Sequence, residues 1–99
     1  MNSRSIYLTR RFVRNPSVVY REEEDGAFLF DPETGNLKYM NRSAREAFLM
    51  LNGQEDVKQL IHHLLELYPD VDQKQIKKDV GSFLKQLEED KFISSMDGK

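Results

Sequence analysis

His62 and His63 are the two imidazoles of a 99-residue chain that has no cysteine. Metal or acid–base chemistry would have to begin with them. Neighbouring residues on a helix point about 100° apart, so this pair cannot close on one metal ion. Both lie off the apolar stripe of their helix, as surface histidines do. Without Cys, disulfides, thiolate nucleophiles and Cys-ligated zinc are excluded. The densest acidic run, Glu22-Glu23-Glu24-Asp25, lacks the alternating ligand spacing of a calcium loop and reads as a solvated hairpin tip. Asn41-Arg42-Ser43 matches a glycosylation sequon, yet no secretory signal precedes it, and helix capping accounts for the same residues. No nucleophile elbow, phosphate loop or dinucleotide fingerprint occurs. The expectation is a non-enzymatic binding protein with no cofactor and no metal.

Composition supports that expectation. Six Phe and four Tyr can build one core in a chain of single-domain length. So short a chain buries too small a share of its surface to enclose a deep, dry active site easily. No apolar run reaches membrane-spanning length, and the polar N-terminus has no signal-peptide core, which predicts a cytoplasmic protein. Charge is unevenly placed. Residues 1–21 hold five Arg and no acid, and the remainder holds ten bases against seventeen acids, so a +5 arm precedes a −7 body. Residues 1–16 are expected as a flexible basic arm, 17–93 as the folded domain and 94–99 as a disordered tail.

The elements that carry the surface follow from periodicity. Val18–Glu22, Ala27–Phe30 and Leu37–Met40 are short β candidates. Asp25-Gly26 is expected to give the positive φ of a tight hairpin, and Asp31-Pro32-Glu33-Thr34-Gly35 a turn ending on a left-handed glycine. The period then changes from 2 to 3.6. Ala44, Ala47, Phe48 and Leu51 form one helical stripe, capped by Asn41 or by a Ser43–Glu46 box and stopped at Asn52-Gly53. Val57, Leu60, Ile61, Leu64, Leu65 and Tyr68 form a second, ended by Pro69. Ile76, Val80, Phe83, Leu84 and Leu87 form a third, capped by Asp72 with Gln75 at the box position. The predicted fold is α+β: a three-stranded antiparallel sheet followed by three helices packed on one face, in a winged helix-turn-helix-like order.

Strand two has no polar face, because Phe28 and Phe30 lie on one side and Ala27 and Leu29 on the other. Leu37 and Tyr39 share a side on strand three. Some large apolar side chains must therefore lie away from the core. Either residues 6–16 fold back over them or a partner covers them. Lys74, Lys77, Lys78 and Lys85 on the third helix suggest a winged-helix DNA reader. Asp79, Glu88, Glu89 and Asp90 on the same helix, and the −7 body, make a poor phosphate-binding surface, so nucleic acid is not the expected partner.

The run Gly26–Gly35 followed by Tyr39-Met40-Asn41 resembles the PqqD family, whose members carry a leucine-bearing strand, a D-P-x-T-G-like turn and a strand ending in Leu-Asn. Leu51-Asn52-Gly53, Leu67-Tyr68-Pro69 with Val71-Asp72, and Asp79-Val80 with Phe83-Leu84 and Leu87 extend the resemblance over about residues 17–93. The resemblance implies a recognition domain for ribosomally made, post-translationally modified peptides. The precursor's leader would add as a strand beside strand three, in a groove against the third helix. The implied partner is a modifying enzyme, usually a radical S-adenosylmethionine enzyme, or a leader protease. Members that serve pyrroloquinoline quinone synthesis usually have a Tyr-Pro-Glu-Gly-like turn and a Gly-Trp-like ending. Asp31–Gly35 and Asp90–Ile93 stand there instead, which favours the broader peptide-recognition role. The expected peptide contacts are Leu37, Lys38, Tyr39 and Met40 on the strand. On the helix they are Lys77, Val80, Gly81 and Leu84, with Lys77 suited to an acidic leader. Monomer and homodimer both fit the sequence.

Overall fold

The computed structural model describes residues 7–96. The three predicted strands form one antiparallel sheet in the order β2-β3-β4, from Val19–Glu23 (β2), Gly26–Phe30 (β3) and Leu37–Asn41 (β4). Its inner face carries Ala27, Leu29 and Met40, all at most 1% exposed. Each fully buried Leu or Met of this kind contributes about 1.5–3 kcal/mol relative to exposure.

The two turns behave differently. Asp31 to Gly35 closes as expected. Gly35 has φ +80°, and its N–H donates to the Asp31 carbonyl at 2.7 Å. The buried Asp31 carboxylate accepts from the Glu33 N–H at 2.9 Å. Positive φ at Asp25-Gly26, in contrast, does not occur. Among the described residues only Gly35, Gly53 and Lys91 have it. Gly26 already belongs to β3, where a Cβ would collide with the Met40 carbonyl. Close approach of β4, not turn geometry, is what requires glycine there.

Three helices follow: Arg42–Leu49 (α1), Val57–Leu67 (α2) and Gln73–Glu89 (α3). Asn41 caps α1 through its side chain, which accepts from Ala44 N–H at 2.9 Å. Arg45 fastens this helix to the β2–β3 hairpin by donating to the carbonyls of Glu23 and Gly26 at 2.9 and 3.1 Å. The stripes of α2 and α3 are buried at Val57, Leu60, Ile61 and Leu64, and at Ile76, Val80, Leu84 and Leu87. The capping box stands at Asp56 and Gln59, where each side chain accepts from the other's backbone at 2.9 Å. Asp72, predicted to hold such a box with Gln75, is the N-cap of α3 but makes no side-chain cap bond. Gln75 instead donates to Asp79.

A second three-stranded sheet, absent from the sequence prediction, has the order β5-β1-β6. It is built from Arg11–Arg14 (β1), Asn52–Asp56 (β5) and Ile93–Ser95 (β6). β1 is its centre and buries Phe12. The predicted flexible arm is therefore corrected over residues 11–14, and the predicted tail over residues 94–95, since both pair backbone to backbone. Residues 1–6 and 97–99 lie outside the described residues. Asn52-Gly53 opens β5 instead of stopping α1, whose C-cap is Met50.

Candidate functional site

The site begins with a strand edge that no described residue pairs. β4 pairs with β3 on one side, with Leu29 opposite Lys38 and Ala27 opposite Met40. Asp31 N–H donates to the Asn36 carbonyl at 2.9 Å, which fixes the phase of the antiparallel ladder. Alternation then turns the N–H and C=O of Lys38 and Met40 towards β3, and those of Leu37 and Tyr39, with the N–H of Asn41, towards the open side. The Asn41 carbonyl, at the N-cap, serves the first turn of α1. No proline interrupts this edge, and Lys38 is its one charged residue.

The helix α3 forms the facing wall. The Asn36 side chain donates to the Asp90 carbonyl at 3.3 Å, which joins the start of β4 to the C-cap of α3. At the other end of β4, Asn41 shares a cleft of about 460 Å³ with Asp79, Val80 and Phe83. Ala47 and Tyr68 also line this cleft, from α1 and the end of α2. The strand thus runs along the Asp79–Phe83–Asp90 flank of the helix, from its C-cap back towards its middle. A groove of this shape, apolar within and edged by free backbone donors and acceptors, suits an extended chain.

The predicted site residues separate. Leu37, Lys38 and Tyr39 lie on the edge strand, with Leu37 and Tyr39 exposed. Met40 is 1% exposed and turned into the core, so it supports the edge from beneath. Val80 lines the cleft. Leu84 is core, 1% exposed. Lys77 and Gly81 lie on the opposite flank of α3. Gly81 faces Tyr7, whose hydroxyl lies 3.7 Å from where a Cβ would stand. Lys77 borders a separate depression with Leu8, Gln59 and Gln73. The flank chosen from sequence is thus the one covered by the N-terminal segment. Asp79 and Phe83, absent from the predicted contacts, stand on the flank beside β4. The register of the apolar stripe could not distinguish the two flanks, because β1 and its approach were not recognised.

Electrostatics at the site are simple. Asp79 is the one charged side chain among the described residues that line the cleft. It accepts from Gln75 Nε2 at 2.8 Å. On the covered flank, burial pushes the Tyr7 phenol up to about 12, partly opposed by Arg10. Tyr7 Oη is buried with no hydrogen-bond partner among the described residues. His62 and His63 pair with Glu66 and Glu55, each at 3.3 Å. Among the described residues no group of three or more His, Asp or Glu could hold a metal, and no helix is long and apolar enough to cross a membrane.

The family model for coenzyme PQQ synthesis protein D (PqqD) matches residues 26–93. The chain belongs to the PqqD family. No curated protein matches the sequence. Among solved structures, TbiB1 in complex with the TbiA(beta) leader peptide is similar in fold, with a TM-score of 0.73 at 17% identity. That similarity covers 83% of this chain and 94% of the other. The PqqD match begins at Gly26 and so includes β3, β4 and all three helices, the elements that build the groove. β1 and β2 precede it, and they add two features of this PqqD-family chain. β1 completes the second sheet. β2 extends an outer sheet face on which Val19, Phe30, Leu37 and Tyr39 are 54, 41, 66 and 51% exposed. The N-terminal segment, one of the two covers expected for that face, packs instead against β5, β6 and α3.

Proposed function

We propose that this chain is a non-catalytic adaptor. It binds the leader segment of a ribosomally synthesised precursor peptide as an added strand on the open edge of β4 and presents it to a modifying enzyme. The outward N–H and C=O of Leu37 and Tyr39 and the N–H of Asn41, which no described residue pairs, are set along α3 and carry the reading. Backbone pairing there gives affinity that tolerates many sequences, and the cleft between Asn41 and Phe83 gives selectivity for side chains. Support comes from membership of the PqqD family and from a fold shared with TbiB1, which was solved bound to a leader peptide. The family resemblance makes a radical S-adenosylmethionine enzyme the first partner to test.

Calorimetric titration of the chain with a precursor leader tests the reading. One leader per chain is expected, with the negative heat-capacity change of apolar burial. Duplex DNA should bind weakly and lose affinity steeply with salt. Absence of leader binding, together with sequence-selective DNA binding at physiological salt, would overturn the adaptor.

A further inference from the structure

The groove has one sign of charge on its rim at the Asn41 end, and the sign is opposite to the one Lys77 suggested. Lys77 is on the far flank, with the Leu8 depression. The cleft beside β4 contains Asp79 and no base among its described lining residues. Asp79 is exposed and forms no ion pair with a described residue, its oxygen accepting from the neutral amide of Gln75. Val71, which also lines the cleft, sits between the exposed acids Asp70 and Asp72. Around these acids the cleft surface is apolar, with Val80 buried and Phe83 and Tyr68 half-buried. An acidic side chain entering here would meet Asp79 without a counter-charge, whereas Lys or Arg would lay its methylene stem on Phe83 or Tyr68 and its cation on Asp79.

We propose that this groove selects a peptide strand with a large apolar side chain and, two residues away, a Lys or Arg that pairs with Asp79. The proposal rests on the docking reading above and specifies its substrate class. Spacing follows from strand geometry. Alternate side chains of an extended strand share one face and stand roughly 7 Å apart, so one can fill the cleft while the next on that face reaches its acidic rim. Such a partly exposed pair has modest strength, so it discriminates among peptides by a few-fold to about tenfold and does not itself supply the affinity.

A display library of short random linear peptides, selected on the full chain, tests it. Three proteins are used: the wild type, Asp79→Lys, and Lys77→Asp on the far flank. Both positions are exposed, so both variants should fold with wild-type circular dichroism. Wild type and Lys77→Asp should enrich Lys or Arg two positions from an apolar residue, and Asp79→Lys should enrich Asp or Glu there. Individual peptides resynthesised with the charge reversed should change affinity by about tenfold between wild type and Asp79→Lys. Selected peptides that lose binding on Tyr39→Pro yet show no cation preference would overturn the charge assignment and leave the docking edge standing. If no selected peptide is sensitive to Tyr39→Pro, both are overturned.

Discussion

Asn36 Nδ2 donates to the backbone carbonyl of Asp90 at 3.3 Å across 54 residues of sequence. This bond ties the residue that leads into β4 to the C-cap of α3 and closes one end of the groove. Asn36→Ala should remove about 0.5–1.5 kcal/mol of stability, a fall of several degrees in Tm for a domain of this size. Asn36→Asp should cost more, since it sets a second acceptor against the Asp90 carbonyl. Thermal unfolding of both variants measures this, and titration of the same samples with a leader peptide should show weakened binding.

Proline substitutions separate the two sides of β4. Tyr39 directs its N–H to the open side, so Tyr39→Pro should leave the fold in place and abolish strand addition. Lys38 directs its N–H to β3. Lys38→Pro should therefore break a ladder bond opposite Leu29, leave a carbonyl unpaired, and cost about 1–3 kcal/mol of stability. Denaturant midpoints and peptide affinity, measured side by side, distinguish a lost edge from a weakened sheet.

Tyr7 gives a prediction with a pH signature. Its hydroxyl is buried without a partner among the described residues, so Tyr7→Phe should be neutral or stabilising by about 1 kcal/mol at neutral pH. Its phenol pKa rises from 10.0 to about 12 on folding. A raised folded pKa stabilises fully below the unfolded value and is lost as pH climbs through the folded one. Wild-type stability should therefore fall relative to Tyr7→Phe between pH 10 and 12, with the two curves parallel below pH 9. Urea unfolding across that range tests it. Parallel curves throughout would show that the hydroxyl is solvated.

The sequence carried the groove's two walls more clearly than the elements that hold them. α2 and α3 were legible because Val57 to Leu64 and Ile76 to Leu87 repeat at helical spacing with few interruptions. The Asp31–Gly35 turn was legible because its proline and left-handed glycine stand where the backbone needs them. β5 was not. Its residues Asn52-Gly53-Gln54-Glu55-Asp56 contain no large apolar side chain, so it forms through pairing with β1 and the positive φ of Gly53. β1 offers only Phe12 and Val13 between two arginines, too short a pattern to distinguish from a basic arm. The Asp56–Gln59 box was hidden for the same reason, since its cap residue closes that apolar-free strand. Missing β1 had a direct consequence for the site: the stripe of α3 carries no sign that Tyr7 lies over Gly81, so the pattern alone offers no ground for choosing between its Lys77 and Asp79 flanks.

Site-resolved amide hydrogen exchange with and without a saturating leader peptide tests the central claim most directly. In the free chain the N–H groups of Lys38 and Met40 should already be protected by the β3 ladder, while those of Leu37, Tyr39 and Asn41 exchange quickly. Bound peptide should slow the second set by an order of magnitude or more and change the first set little. Slowing at some other surface, with Leu37, Tyr39 and Asn41 unchanged, would contradict docking on this edge.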